Sequence, residues 1–397
     1  MLKKVLVKSI IFLCQIFSKK EQKIVYHSFP DFSDNSFATF IYVAEHFKTY
    51  KNVWLVDNYA SKEKFLKLTA NYTKTNNLII VKKKSITGFF HYFTASIIFH
   101  THGLYNFLGL IPCQKKINLW HGMPIKTIGY LDDPNSKNVQ LSNVHLATSP
   151  FYQKILAKAF GVTQDEILIA GQTRNDFLFE NKFSIHELFN DTKQYNKTIL
   201  WMPTFRKSVV GDLRVDGEID GENDFFNESS LSKINGLLEK NNSICYVKLH
   251  PMDYRTIDAF KTYSNIRFID NSSFEDKAIN MYSTFNSVDI LLTDFSSIYI
   301  DFLLLDRPIG FVFSDYEAFK NSRGFLFPDP IKHMPGEIIT TLDKLEVFLT
   351  NTIESGQDDY ADKRKAVKNN FHEYNNNFSK ALLEKLIEGE NLTSKNN

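Results

Sequence analysis

Short apolar and β-branched runs recur along the chain, separated by stretches with apolar positions at helical spacing, the pattern of parallel sheets assembled from βαβ units. The first series of runs covers 23–29, 52–57, 77–82, 96–102, 117–121, 144–149 and 167–171, with amphipathic helices expected at 36–48, 62–70 and 151–160. A second series follows at 198–203, 244–250, 266–269, 288–293 and 309–313, with a helical pattern at 298–305. The predicted fold is therefore α/β, in two Rossmann-like halves spanning 21–180 and 198–357. Polar residues at 181–197 suit a linker. Residues 207–227 contain glycine, are acid-rich and lack periodicity, which predicts a long loop, and loops of that length are often functional. From 358 to 390 the charged positions follow one helical pattern, and 391–397 is expected to fray. There is no internal repeat of solenoid length.

At 397 residues the chain exceeds what one hydrophobic core usually supports, in keeping with two domains. Lys and Arg number 47 against 45 Asp and Glu, a formal net charge of +2, which argues against a nucleic-acid binder with one dominating basic face. Any anion site has to be local. Cys14, Cys113 and Cys245 have neither the paired spacing of a zinc site nor the even count of a secreted disulfide framework, and they fit a reducing cytoplasm. Near the start, the apolar stretch 9–17 lies between Lys3, Lys4, Lys8 and Lys19, Lys20. It is too short to span a bilayer, and no small-residue cleavage site follows it. Two readings stand for it: an amphipathic helix lying on an anionic membrane surface, or a first helix packed on the protein.

In parallel α/β sheets ligands bind beyond the carboxyl ends of the strands, so polar residues that interrupt a strand there are the ones to inspect. Five endings stand out: Trp120-His121-Gly122-Met123-Pro124-Ile125-Lys126, Gly171-Gln172-Thr173-Arg174-Asn175-Asp176, Met202-Pro203-Thr204-Phe205-Arg206, Lys248-Leu249-His250-Pro251 and Thr293-Asp294-Phe295-Ser296-Ser297. In the last of these an apolar strand stops and two serines open a helix, so free backbone N–H groups, hydroxyls and the helix dipole suit a phosphate; plain N-capping uses the same residues. Asp301, one turn on, faces either a ligand or the core. His121 and His250 close strands in opposite halves, and a histidine with an ordinary pKa of about 6.5 accepts a hydroxyl proton at neutral pH. Lys248, Arg206 and Arg174 are candidates to neutralise a diphosphate, each with a surface charge as its alternative. Strand alternation would put His100 and His102 on one face, but no third ligand is evident and no Asp-x-Asp pair is present, so no metal is expected. A Walker loop, a Gly-x-Ser-x-Gly elbow and a Gly-x-Gly-x-x-Gly turn are also missing, which disfavours an ATPase, an α/β-hydrolase and a dinucleotide enzyme.

Taken in this order, the endings resemble the CDP-glycerol glycerophosphotransferase family, the teichoic acid primases and polymerases, over residues 115 to 319. The Trp120–Lys126 and Thr293–Ser297 segments are the most specific parts, supported by Lys248-Leu249-His250-Pro251 and Arg174-Asn175-Asp176. The resemblance implies a GT-B-like architecture, two facing Rossmann-like domains with a cleft between them, the first binding the acceptor and the second the donor. It implies CDP-glycerol as donor substrate without a cofactor, a lipid-linked glycan or a teichoic-acid-like or capsule polymer as acceptor, and CMP as product. Attachment at the cytoplasmic face of the plasma membrane is implied too, with 1–20 as the membrane-associating segment. Carried over residue by residue, it makes His121 the base and His250 a contact of the donor phosphate or leaving group. Donor binding falls to Arg206, Lys248, Ser296 and Ser297, to the backbone through Gly122, Met123, Pro124 and Ile125, and to Arg174, Thr204, Thr293, Asp294 and Asp301. Asp34 and Asn35, after the first strand, are where acceptor contacts are expected. Met123 and Gln172-Thr173 depart from the family's pattern, which has a smaller residue and a proline-containing turn.

Three rivals share these features. A CDP-ribitol enzyme differs by pocket details alone. A GT-B glycosyltransferase would form a glycosidic bond from a nucleotide sugar instead of a phosphodiester. A glycan-polymer-binding protein with a silent site would release no CMP, and the pair His121 and His250 argues against it.

Overall fold

The computed structural model describes residues 22–74, 77–112, 114–137, 139–204, 225–250, 253, 262–270 and 272–393, with 387–393 described by backbone alone. The amphipathic N-terminal segment, Arg206, Pro251, Cys14, Cys113 and nearly all of the loop 207–227 lie outside these residues. The chain divides into two compact units. One holds the described residues up to His121, Asn135–Phe177 and the chain from His372 onward; the other holds Gly122–Pro134 and Leu178–Phe371.

The first unit is built on seven parallel strands: β1 (Lys23–His27), β2 (Lys51–Val56), β3 (Leu78–Lys82), β4 (Ile97–His100), β5 (Lys115–Asn118), β6 (Val144–Ala147) and β7 (Ile167–Ile169). Their order is β3-β2-β1-β4-β5-β6-β7, so the direction of winding reverses between β1 and β4, the place where such sheets take ligands. His27 pairs with His100, and His100 with Asn118, so the carboxyl ends of β1, β4 and β5 finish level. Val25, Val53, Leu55 and Ile98 pack under Tyr92 and Phe93 on one face. Elsewhere in the unit Tyr26 stacks on Trp54 with ring centroids 5.5 Å apart, and Phe40 and Phe65 extend the aromatic layer. Helix Pro150–Phe160 starts where Ser149 accepts Tyr152 N–H and Pro150 needs no partner; it stops at Gly161 in the left-handed conformation.

The second unit repeats the plan with six parallel strands: β8 (Thr198–Met202), β9 (Ile244–Val247), β10 (Ile266–Phe268), β11 (Ile290–Thr293), β12 (Ile309–Val312) and β13 (Glu337–Ile339), ordered β10-β9-β8-β11-β12-β13. The reversal falls between β8 and β11, whose last residues, Met202 and Thr293, are paired. Ile199, Trp201, Leu238, Cys245, Leu292 and Ile339 form its core.

Several predicted strands are too long at their carboxyl ends. Leu119 and Leu249 are buried but lie past the last strand residues, so the apolar run outlasts the sheet where the chain turns into the site loops. Residues 181–197 are not bare linker: they carry a short helix, Ile185–Phe189, opened by a Ser184/Glu187 capping box, with His186 bonded to the Tyr246 hydroxyl at 2.8 Å. The single helical pattern of 358–390 is two helices, Ala361–Phe371 in the second unit and Phe378–Thr393 in the first.

Candidate active site

His121 is the last residue of the first unit before the chain crosses into the second. It stands beyond β5 on a turn that Asn118 shapes by accepting Trp120 N–H at 3.0 Å, and Trp120 takes φ +58°, a conformation a bulky residue adopts only under constraint. His121 Nδ1 lies 3.3 Å from the Thr101 carbonyl, which can only accept, so Nδ1 carries the proton and Nε2 keeps its lone pair. Burial lowers the His121 pKa, helped by the Arg174 charge, while Asp34 and the Thr101 bond oppose the shift. His102 lies flat on the His121 ring, with centroids 4.1 Å apart and planes 15° apart.

A buried brace supports this turn. Arg174 Nη1 donates to Asp34 Oδ1 at 2.6 Å and to the His121 carbonyl at 2.9 Å. Asn35, fully buried, donates to the Leu119 and Trp120 carbonyls and to Gln172 Oε1, and accepts Arg174 N–H at 3.0 Å. Gln172 Nε2 has no partner among the described residues.

In the second unit the segment Gly122–Pro134 is tied down by Leu326 N–H donating to the Ile125 carbonyl at 2.8 Å and by Thr127 Oγ1 donating to the Arg323 carbonyl at 2.8 Å. Lys126 Nζ sits 4.9 Å from the centre of the Phe319 ring, which belongs to an aromatic nest with Phe295 and Phe325. Lys248 follows β9, and burial brings its ammonium down to about 8 against a small upward pull from Asp270. His250 keeps much of its surface in solvent, yet its ring is held below the ordinary histidine range, first by the protein packed round it, next by the charges of Lys248 and Lys126. Ser296 and Ser297 are half-buried at the start of helix Ile298–Phe302; Ser296 Oγ accepts Ile298 N–H at 3.4 Å and Ser297 makes no side-chain cap. Lys126 and Lys248 thus put positive charge beside a neutral His250 in a chain of nearly balanced charge, a local group suited to an anion.

Several residues expected at the ligand are turned to other work. Arg174 is bound to Asp34 and to the His121 carbonyl and is 7% exposed, so it supports the His121 turn where a phosphate contact was expected. Asn35 is committed to the loops it holds, so it positions them rather than touching an acceptor, and Asp34 spends its carboxylate on Arg174. Asp294 accepts both the N–H and the hydroxyl of Thr204, and Thr293 Oγ1 donates to the Met202 carbonyl at 2.7 Å; these three join the ends of β8 and β11. Asp301 is buried and accepts the Tyr282 hydroxyl at 2.8 Å, which is the core alternative. Met123 and Ile125 are buried packing residues, which leaves backbone as what the Gly122–Ile125 stretch can offer. His100 and His102 do not share a face. The strand ends at His100, whose ring is buried against Ser142 and accepts Gly103 N–H, while His102 turns to His121. His102 and Lys126 join the site without a role expected from sequence, though one lies at the end of the 96–102 run and the other closes the Trp120–Lys126 segment.

A family model described as CDP-Glycerol:Poly(glycerophosphate) glycerophosphotransferase matches residues 9–388. The teichoic acid ribitol-phosphate polymerase TarL of Staphylococcus aureus is 27% identical over 264 residues, 62% of this chain and 43% of that protein. The teichoic acid glycerol-phosphate transferase of the same organism is 27% identical over 364 residues, 85% of this chain and 86% of that one. The chain spans less than half the length of the ribitol-phosphate polymerases it matches. A solved structure of the wall teichoic acid polymerase TagF covers 100% of this chain and 99% of its own, with a TM-score of 0.74 at 21% identity. That likeness shows a shared fold, an α/β pair of Rossmann-like units of the GT-B kind.

Proposed function

The chain belongs to the CDP-glycerol:poly(glycerophosphate) glycerophosphotransferase family, and from that premise we propose that it moves glycerol phosphate from CDP-glycerol to a hydroxyl of a lipid-linked glycan or polyol-phosphate polymer. His121 Nε2 takes the proton of the acceptor hydroxyl. The freed oxygen attacks the phosphorus next to the polyol, a new O–P bond forms in line with the breaking P–O bond to CMP, and CMP departs with the bonding pair. Lys248, Lys126 and His250, with the half-buried Ser296 and Ser297, stabilise charge on the transferred and leaving phosphates. Catalysis on this reading is positioning plus electrostatics. The observation that carries it is the state of His121: Nδ1 bonded to a carbonyl, Nε2 unprotonated, and a pKa below the ordinary value so that the base is ready at neutral pH.

Glycerol comes first because the glycerol-phosphate transferase matches along 86% of its length. Ribitol is the second reading, supported by the matches to ribitol-phosphate polymerases. Peripheral attachment at the cytoplasmic membrane face belongs to the same proposal: the acceptor is lipid-linked, the stretch 9–17 lies between lysines, and no described helix is long and apolar enough to cross a membrane.

The test is CMP release from CDP-glycerol, CDP-ribitol and a UDP-sugar, each with a lipid-linked disaccharide acceptor, in wild type and His121→Ala. Release from one CDP-polyol, lost in the variant while donor binding persists, is the expected result. Turnover of the UDP-sugar alone would move the chain to the glycosyltransferases, and an active His121→Ala protein would remove the base.

A further inference from the structure

We propose that His102 is the positioning residue of the transfer base: stacked flat on His121, it fixes the plane of that ring and stays neutral, so that His121 alone carries the proton taken from the acceptor. The inference rests on the reading of His121 as base. His102 lies two residues past β4, beside the β1/β4 reversal where this kind of sheet takes ligands. Its own place is set by the Thr101 hydroxyl, 2.9 Å from Nδ1, and by the Phe29 ring, inclined at 68° with centroids 5.7 Å apart.

One hydrogen bond, at 3.3 Å to Nδ1, and the Trp120 ring, centred 4.1 Å away but tilted by 35°, hold the His121 ring at an edge and at an angle and leave it some swing. A second aromatic plane 4.1 Å away, tilted by 15°, removes the swing and excludes water from the covered face. Two parallel imidazolium rings that close would repel strongly, so the pair holds a single proton. The groups around it decide which ring takes the proton. Asp34 acts on both rings in favour of charge and Arg174 on both against it; His102 also feels His27 and His121, while His121 has the Thr101 carbonyl on its N–H. Burial, followed by the His121 charge, brings His102 down to about 3, leaving it the neutral member.

The test uses the full chain with His102→Ala and His102→Phe, and reads kcat and KM for the CDP-polyol across pH together with the His121 imidazole titration by NMR. His102→Ala should lower kcat by roughly 10- to 100-fold, the usual effect of losing a supporting partner, with KM nearly unchanged. Water reaching the bared face should raise the His121 pKa, moving the acid limb of kcat/KM to higher pH. His102→Phe, which keeps the plane and the exclusion of water, should recover most of kcat and hold the limb in place. A phenylalanine variant as slow as the alanine one, or an alanine variant with kcat and limb unmoved, overturns the proposal, and the phenylalanine arm decides if the alanine protein fails to fold. The NMR titration reads the stack without turnover, so an active His121→Ala protein would end the base reading separately.

Discussion

The Asp34–Arg174 pair shows how one contact redirects a residue's role. An arginine after a strand in an anion-binding protein reads as a phosphate ligand, but here both partners are nearly buried and 2.6 Å apart. Breaking a buried pair strands the remaining charge, at a cost of about 3–5 kcal/mol. Arg174→Met should therefore shift the urea midpoint of the first unit strongly and reduce kcat through the lost bond to the His121 carbonyl, with KM for donor little changed. A raised donor KM at unchanged stability would restore the phosphate-ligand role. Lys248 makes the opposite prediction. Its pKa of about 8 means that in the free protein the cation is present below that pH and lost above it. Donor affinity should weaken from pH 7 to pH 9 in wild type and vary less in Lys248→Met, as measured by calorimetry; identical slopes would sink the assignment. Sequence alone separates neither case, because the partners are remote: Asp34 lies 140 residues from Arg174, and Thr204 lies 90 residues from Asp294.

Elements were legible where burial is continuous and obscure where it is not. Every strand from β1 to β12 has an apolar run, so periodicity finds it, whereas β13 is three residues with two half-exposed and leaves no comparable trace. Helix Lys62–Ala70 is found at its true bounds, but the carboxyl ends of strands are not, since residues such as Leu249 stay buried after leaving the strand. The Arg174-Asn175-Asp176 segment carries a function that no local pattern reveals: Asp176 caps helix Phe378–Thr393, accepting Phe378 N–H at 2.7 Å and Ser379 N–H at 2.9 Å. Nearby Gly171 takes φ +82°, and a Cβ there would lie 2.3 Å from the Phe378 ring. Asp176→Ala should cost about 1–2 kcal/mol for the lost cap and speed amide exchange selectively in 378–386. Unchanged protection there would mean that packing alone holds the helix. Because Arg174 and Asp176 share one short helical stretch, Thr173–Phe179, loosening the cap should also be felt at the His121 brace.

At the scale of the whole chain, each unit is assembled from discontinuous segments, with crossings after His121, Pro134, Phe177 and Phe371, so a core in either unit depends on residues far apart in sequence. The first unit holds an unusual number of buried histidines at the ends and flanks of its central strands. His27 donates from Nδ1 to the Leu55 carbonyl and receives Lys83, and burial with the Lys83 charge brings it to about 4. His145 accepts Asn118 Nδ2–H, leaves Nε2 without a partner among the described residues, and is also brought to about 4, chiefly by burial. His100 is also lowered well below the usual value, first by burial and then by the Lys116 charge. Each is neutral in the fold and protonates near 6.5 when unfolded, so stability is intact above that pH and erodes as pH falls toward 4, by roughly 3 kcal/mol for a histidine shifted this far. Acid should therefore undo the first unit before the second. Trp54 and Trp120 lie in the first unit and Trp201 in the second, so tryptophan fluorescence in single-tryptophan variants can follow each unit between pH 7 and pH 4.5. Simultaneous loss in both units would contradict the expectation. In His145→Gln, which cannot protonate, the first unit's acid midpoint should move down toward that of the second, because one of the groups that must gain a proton on unfolding has been removed.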